Sequence, residues 1–148
     1  MSETAIVSDV SVEERVLIRD LYDRMYWALN TGDAEGIRAC WAPGGHVVRG
    51  GVGDVIDFEK SVEIAVNGQN DPVGKTTQHH VTNFIVDPDP DGREDCRAVR
   101  LYFMVTLVEE PPNTRVRWSC RSHDTVQRID GRWLIFKREI SLNHPDTK

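Results

Sequence analysis

Residues 96–109 read CRAVRLYFMVTLVE, and their apolar side chains alternate: Leu101, Phe103 and Val105 fall on one face, Tyr102 and Met104 on the other. A period of two is the period of a β-strand. The run is long for a globular protein, where about 5–6 residues is usual. The flanking segments repeat the pattern. Strands are expected over 76–87, 115–129 and 132–142, joined by the turn sequences Asp89-Pro90-Asp91-Gly92, Glu110-Pro111-Pro112-Asn113 and Asp130-Gly131. Long strands joined by tight hairpins coil strongly, and a coiled sheet has a concave face that something must fill.

Upstream of these strands the period is helical. Ser11 and Glu14 have the S-x-x-E spacing of a capping box. Leu17, Ile18, Leu21, Tyr22, Met25, Ala28 and Leu29 then form one apolar face of a helix over 12–30, ended at Gly32. Asp33 is placed to cap a short second helix running through Cys40 and Trp41. Residues 46–49 predict a short strand, and Gly50-Gly51-Val52-Gly53 a turn. Asp54 is placed to cap a third helix carrying Val55, Phe58, Val62, Ala65 and Val66, closed by Gly68. Helices first and strands last is the pattern of an α+β fold built on antiparallel hairpins.

The 148 residues fit a single domain, 1–148, with its core over about 12–142, and 39% apolar with 28% charged residues is the composition of a folded globular chain. The net charge of −6 disfavours nucleic acid as a partner. No run of about 18 apolar residues suits a membrane span, and MSETAIVSDV has neither the basic start nor the apolar stretch of a secretion signal. Cys40, Cys96 and Cys120 are odd in number and lack ligand-like spacing, so buried free thiols and a cytoplasmic location are expected.

The element order resembles the nuclear transport factor 2-like superfamily and its SnoaL-like class. The likeness lies in Leu29-Asn30-Thr31-Gly32-Asp33 followed by Gly36-Ile37, in Gly53, in Thr77-Gln78-His79-His80-Val81-Thr82-Asn83, and in Arg128-Ile129-Asp130-Gly131-Arg132-Trp133-Leu134-Ile135 with Arg138. It implies a cystatin-like cone, a curved antiparallel sheet wrapped on N-terminal helices, with an internal pocket for an apolar cyclic or aromatic small molecule. Three branches are similar in different ways. Thr77-Gln78-His79 looks like the segment carrying the histidine base of scytalone dehydratase and of hexachlorocyclohexane dehydrochlorinase. That resemblance implies His79 as base, with Cys120 and Ser122 at the dehydratase's hydrogen-bonding positions. The family aspartate that orients the histidine falls on Asn30, and the neighbouring tyrosine on Leu29. His79 to Val86 and the ending from Trp133 to Asn143 resemble the β subunit of aromatic-ring-hydroxylating dioxygenases, which implies a non-catalytic subunit with an α partner. The acid and base of ketosteroid isomerase fall on Met25 and Arg49, which excludes that chemistry.

Alternation places His79, Val81, Asn83 and Ile85 on one strand face, and Trp118, Cys120, Ser122 and Asp124 on one face of another. A histidine at a pocket wall suits proton abstraction because its pKa lies near working pH. Asn30 offers the imidazole a neutral acceptor only. Asp124 therefore has three readings: the missing charge for His79, a carboxylate base in its own right with a raised pKa, or a sheet-end partner of an arginine such as Arg138. Tyr22, Tyr26, Phe58, Tyr102, Trp118, Cys120 and Ser122 are the expected substrate-binding residues. No cofactor or metal site is expected. Asp87-Pro88-Asp89-Pro90-Asp91-Gly92 begins like a calcium loop, but its twelfth position is Ala98, so an acidic turn is expected. Arg115, Arg117 and Arg121 are spaced as cross-strand partners. The apolar residues on both faces of 96–109 predict a homodimer packed sheet against sheet. The function that follows is a cofactor-free dehydratase- or isomerase-type lyase. The alternatives are a dioxygenase β-type subunit or a small-molecule carrier.

Overall fold

A computed structural model describes residues 10–50 and 53–143. The elements in chain order are α1 (Val12–Thr31), α2 (Ala34–Arg38), β1 (Trp41–Arg49), β2 (Asp54–Asp57), α3 (Phe58–Gly68), a 3-10 turn (Gly74–Thr76), β3 (Gln78–Pro88), β4 (Cys96–Glu110), β5 (Asn113–Ile129) and β6 (Arg132–Leu142). The six strands form one curved sheet in the order β2-β1-β6-β5-β4-β3. All neighbouring strands run antiparallel except β1 and β6, which are parallel. The first nine residues, the last five, and Gly51 and Val52 of the expected glycine turn lie outside the described residues. No helix is long and apolar enough to cross a membrane among the described residues.

The caps of α1 follow the sequence. Ser11 Oγ accepts the Glu14 amide at 3.0 Å, and the Glu14 carboxylate accepts the Ser11 amide at 3.2 Å. Gly32 takes the left-handed conformation that ends the helix, φ 67°. Ile18, Leu21, Tyr22, Met25, Tyr26 and Ala28 are buried against the concave face of the sheet, while Leu17 stays 48% exposed. Facing them are Val99, Leu101, Phe103 and Val105 of β4, with Val126 of β5 and Ile135 of β6.

Three local expectations are corrected. The second helix stops at Arg38, and Trp41 opens β1, whose partner is the distant β6. The third helix does not begin at Asp54: residues 54–57 form strand β2 against β1, and Asp57 is the cap, accepting the Lys60 amide at 3.2 Å. Val55 and Ile56 are β-branched and suit the strand better than a first helical turn. The third correction concerns β3. Its register with β4 shifts between Thr82 and Ile85, and Asn83 sits there at φ 52°. This bulge turns Phe84 and Val86 inward beside His79 and Val81, and leaves Asn83 and Ile85 exposed.

Candidate functional site

His79 lies on β3, the edge strand, opposite Val105 of β4. Asn30, in the last turn of α1, meets it twice: its Oδ1 accepts the His79 backbone N–H at 3.2 Å and lies 2.6 Å from the ring Nδ1. An amide oxygen only accepts, so this contact places the ring proton on Nδ1 and leaves Nε2 with a free lone pair. Asn30 is itself held through its main-chain carbonyl, which accepts Gln69 Nε2 at 3.2 Å. The imidazole stacks on Tyr26, ring centres 5.0 Å apart and planes 27° from parallel, and Phe103 stands 6.0 Å away. Burial, then the positive charge of Arg138 and the neighbouring His80, press the pKa of His79 down from 6.5 to about 4. The ring is therefore neutral at neutral pH.

A second cluster centres on Arg138 of β6, which is 3% exposed. Its Nε donates to Asp124 Oδ2 at 2.9 Å; its Nη2 donates to the Tyr26 hydroxyl at 2.6 Å and to Ser122 Oγ at 3.2 Å. Tyr22 donates its hydroxyl to Asp124 Oδ2 at 2.7 Å, and Ser122 donates to Asp124 Oδ1. The guanidinium also stands 5.2 Å from the Tyr26 ring centre and 5.6 Å from that of Phe103. Burial raises Tyr26 to about 12, and raises Tyr22, held by the Asp124 carboxylate, still more firmly out of range of ionisation. Burial opposes charge on Arg138, but the Asp124 carboxylate outweighs it and keeps the guanidinium protonated.

The structure favours one of the three readings of Asp124, the arginine partner. Its carboxylate is the buried partner of Arg138 and does not bond His79, so the compensated His79–Asp124 dyad is not formed. The two groups are linked only indirectly, from Asp124 through Arg138 and Tyr26 to the stacked imidazole. Tyr22, Tyr26 and Ser122 join this cluster, and Cys120 is buried beside it, its thiol pushed up by burial. Phe58 is half-buried and stacks on Trp41, ring centres 5.7 Å apart, where α3 meets β1. Two expected lining residues are corrected. Tyr102 is 47% exposed on the convex face, because the face of β4 toward α1 belongs to Leu101 and Phe103. Trp118 pairs with Val105 but is 43% exposed, in a stretch of β5, residues 113–119, that is exposed throughout; Arg117 covers its ring at 5.1 Å.

Sequence reasoning missed Gln69 and Phe84. No local pattern announces that a glutamine beyond α3 reaches the end of α1, and Phe84 turns inward only because of the bulge. The rings of Tyr26 and Phe103 lie against His79, and Tyr22 packs in turn on Tyr26 and Phe84. Two clefts of about 690 and 530 Å³ lie on the outer flank of α1, the larger lined by Leu17, Trp27, Cys40 and Trp133 among others, and neither by His79, Asn30 or Asp124. Among the described residues no three His, Cys, Asp or Glu side chains converge as a metal cage would require. In the acidic turn, Asp87 is held by Arg100 and Asp89 by Arg93. Arg115 pairs with Glu109 across the β4–β5 hairpin.

No curated protein matches the sequence. Among solved structures, the chain is similar to a protein of unknown function from Mycobacterium tuberculosis, with 24% identity and a TM-score of 0.75 over 90% of this chain and 74% of that one. It is similar to a nuclear transport factor 2-like protein with a cystatin-like fold from Novosphingobium aromaticivorans (19% identity, TM-score 0.76, 92% and 86% covered). A third neighbour, from the same organism and provisionally named a scytalone dehydratase, has 18% identity and a TM-score of 0.72 over 92% and 88%. At these identities the likeness is one of fold. The family model for the SnoaL-like domain matches residues 10–139, and the chain belongs to that family.

Proposed function

We propose that the cone binds an apolar cyclic or aromatic small molecule and that His79 acts on it as a base, in cofactor-free dehydratase- or isomerase-type chemistry. The observation that carries this reading is the 2.6 Å contact between His79 Nδ1 and Asn30 Oδ1, which leaves Nε2 as an unspent proton acceptor. Tyr26 complements it. Its oxygen accepts from Arg138, so its own proton is free to donate to a substrate oxygen beside the imidazole. In this scheme Nε2 takes a proton from carbon, and Tyr26 stabilises the charge that moves onto oxygen. Substrate reaches the pair from the β3 edge of the sheet, displacing part of the aromatic filling around His79. The name carried by the third structural neighbour agrees with this class of chemistry. The protein acts as a homodimer, joined through the convex sheet face, where Tyr102 and Met104 are exposed.

The test needs no knowledge of the natural substrate. Wild-type protein should speed exchange of the α-protons of 2-tetralone for deuterium in heavy water, followed by NMR. His79→Gln should slow that exchange about 10²–10⁴-fold while the fold is kept. Exchange equal in the two proteins would remove His79 as base. The neutral Asn30 partner favours one other reading, a carrier, since an amide cannot stabilise an imidazolium by charge. Binding of 2-tetralone without catalysed exchange would support the carrier.

A further inference from the structure

Among the described residues, one buried side-chain polar atom has no hydrogen-bond partner: the indole Nε1 of Trp41. The fold satisfies comparable groups elsewhere. Asp124, Ser122 and Arg138 bond one another, Asp89 holds Arg93, and Thr106 meets His80. Upwards of nine in ten buried polar groups in folded proteins are paired. Trp41 is 6% exposed, so bulk water does not satisfy its N–H.

The indole is also held rigidly. It opens β1, level with Ile135 of β6. Phe58, the first residue of α3, lies against it with the ring planes 11° from parallel. On another side Gly45 packs so closely that a Cβ there would stand 2.7 Å from Trp41 Cε3. A donor whose direction is fixed by packing and which is left unpaired is oriented to receive an acceptor once the ligand displaces part of the packing beside it. Trp Nε1 donates only, so the group it receives is a hydrogen-bond acceptor. Phe58 against the ring and Ile135 across the strand pair are apolar, which suits a ring substituent and not a free ion.

We propose that Trp41 Nε1–H is a ligand-anchoring donor. It forms an oxygen subsite, between α3 and β1, for the carbonyl or hydroxyl of an apolar cyclic ligand. This rests on the reading that the cone binds such ligands, and adds that the ligand carries an oxygen on the ring part lying toward α3.

The test compares two probes of nearly equal shape, naphthalene and 2-naphthol, by titration calorimetry and by the indole N–H resonances in ¹H–¹⁵N spectra. Wild-type protein should bind 2-naphthol about tenfold more tightly, the worth of one neutral hydrogen bond. The Trp41 indole resonance should move downfield with 2-naphthol and not with naphthalene. Trp41→Phe keeps an aromatic ring beside Phe58 and removes the donor. It should equalise the two affinities; the smaller ring leaves a cavity where the indole packed and lowers the melting temperature without unfolding the protein. If both probes bind but the variant keeps the preference, or the Trp41 resonance is unmoved, the subsite is overturned while the ligand-binding reading stands. If neither probe binds the wild type, the ligand-binding reading fails and the subsite with it. Should the variant not fold, the wild-type resonance decides alone.

Discussion

His79 meets an amide where a stronger base would meet a carboxylate, so burial, Arg138 and His80 set how it responds to pH, with no carboxylate to offset them. Its folded pKa, about 4, lies below the ordinary 6.5. Between these values the unfolded chain binds the proton and the folded chain does not, so stability falls as pH drops from about 6.5 to about 4 and levels off below. Above pH 6.5 this contribution is fully present. The fall amounts to a few kcal/mol at most, of order 1.4 per pKa unit. Urea denaturation at stepped pH should show it, and His79→Gln should flatten the slope. Asn30→Asp puts a carboxylate within hydrogen-bond reach of Nδ1 and should raise the His79 pKa, read from the imidazole resonances, and with it the rate of deuterium exchange. An unchanged pKa would mean that the Asn30 contact does not orient the ring. Asp124 behaves differently. Asp124→Asn strands the Arg138 guanidinium in the interior and should cost about 3–5 kcal/mol of stability. A variant of native stability would show that the cluster is hydrated.

At the scale of elements, the bulge in β3 decides which rings fill the cone. Strict alternation from His79 would send Phe84 and Val86 to the solvent face. The extra residue at Asn83 reverses the parity, and Phe84 then packs edge-on to Tyr22 at 5.1 Å. Asn tolerates the left-handed backbone that a β-branched residue resists. Asn83→Val should therefore cost about 1–2 kcal/mol, whereas Asn83→Gly should be nearly neutral, both measured by thermal unfolding. Equal effects would mean that the backbone there does not depend on residue type. The same parity explains why Asn83 and Ile85 were expected inside and are not. A bulge leaves no mark in hydrophobic period beyond a slip that sequence alone cannot distinguish from a surface apolar residue.

For the whole molecule, the convex face of the sheet is the surface left to explain. Tyr102 and Met104 of β4 are 47% and 40% exposed there, with Val116 of β5 at 51%. Burying such a patch against a second copy is the usual outcome for a two-sided sheet. Sedimentation at micromolar concentration should give a dimer, and Met104→Glu should shift it toward monomer without unfolding. A clean monomer for the wild type would remove the proposal.

The sequence by itself determined the elements that short-range chemistry controls: the capping box at Ser11, the helix exit at Gly32, the four hairpin strands and their three turns, and hence the family. It also placed His79 and Asn30 as a pair through resemblance. Two elements escaped it, the strand at 54–57 and the parallel pairing of β1 with β6, because a short β-branched segment becomes a strand only when a neighbour supplies its hydrogen bonds. The tertiary structure alone decided what Asp124 does. Its partners, Tyr22 and Arg138, come from α1 and β6 and meet only once the sheet has coiled around the helix. In that dry interior the nearest guanidinium takes the carboxylate, since an unpaired charge is far costlier there than an unassisted imidazole.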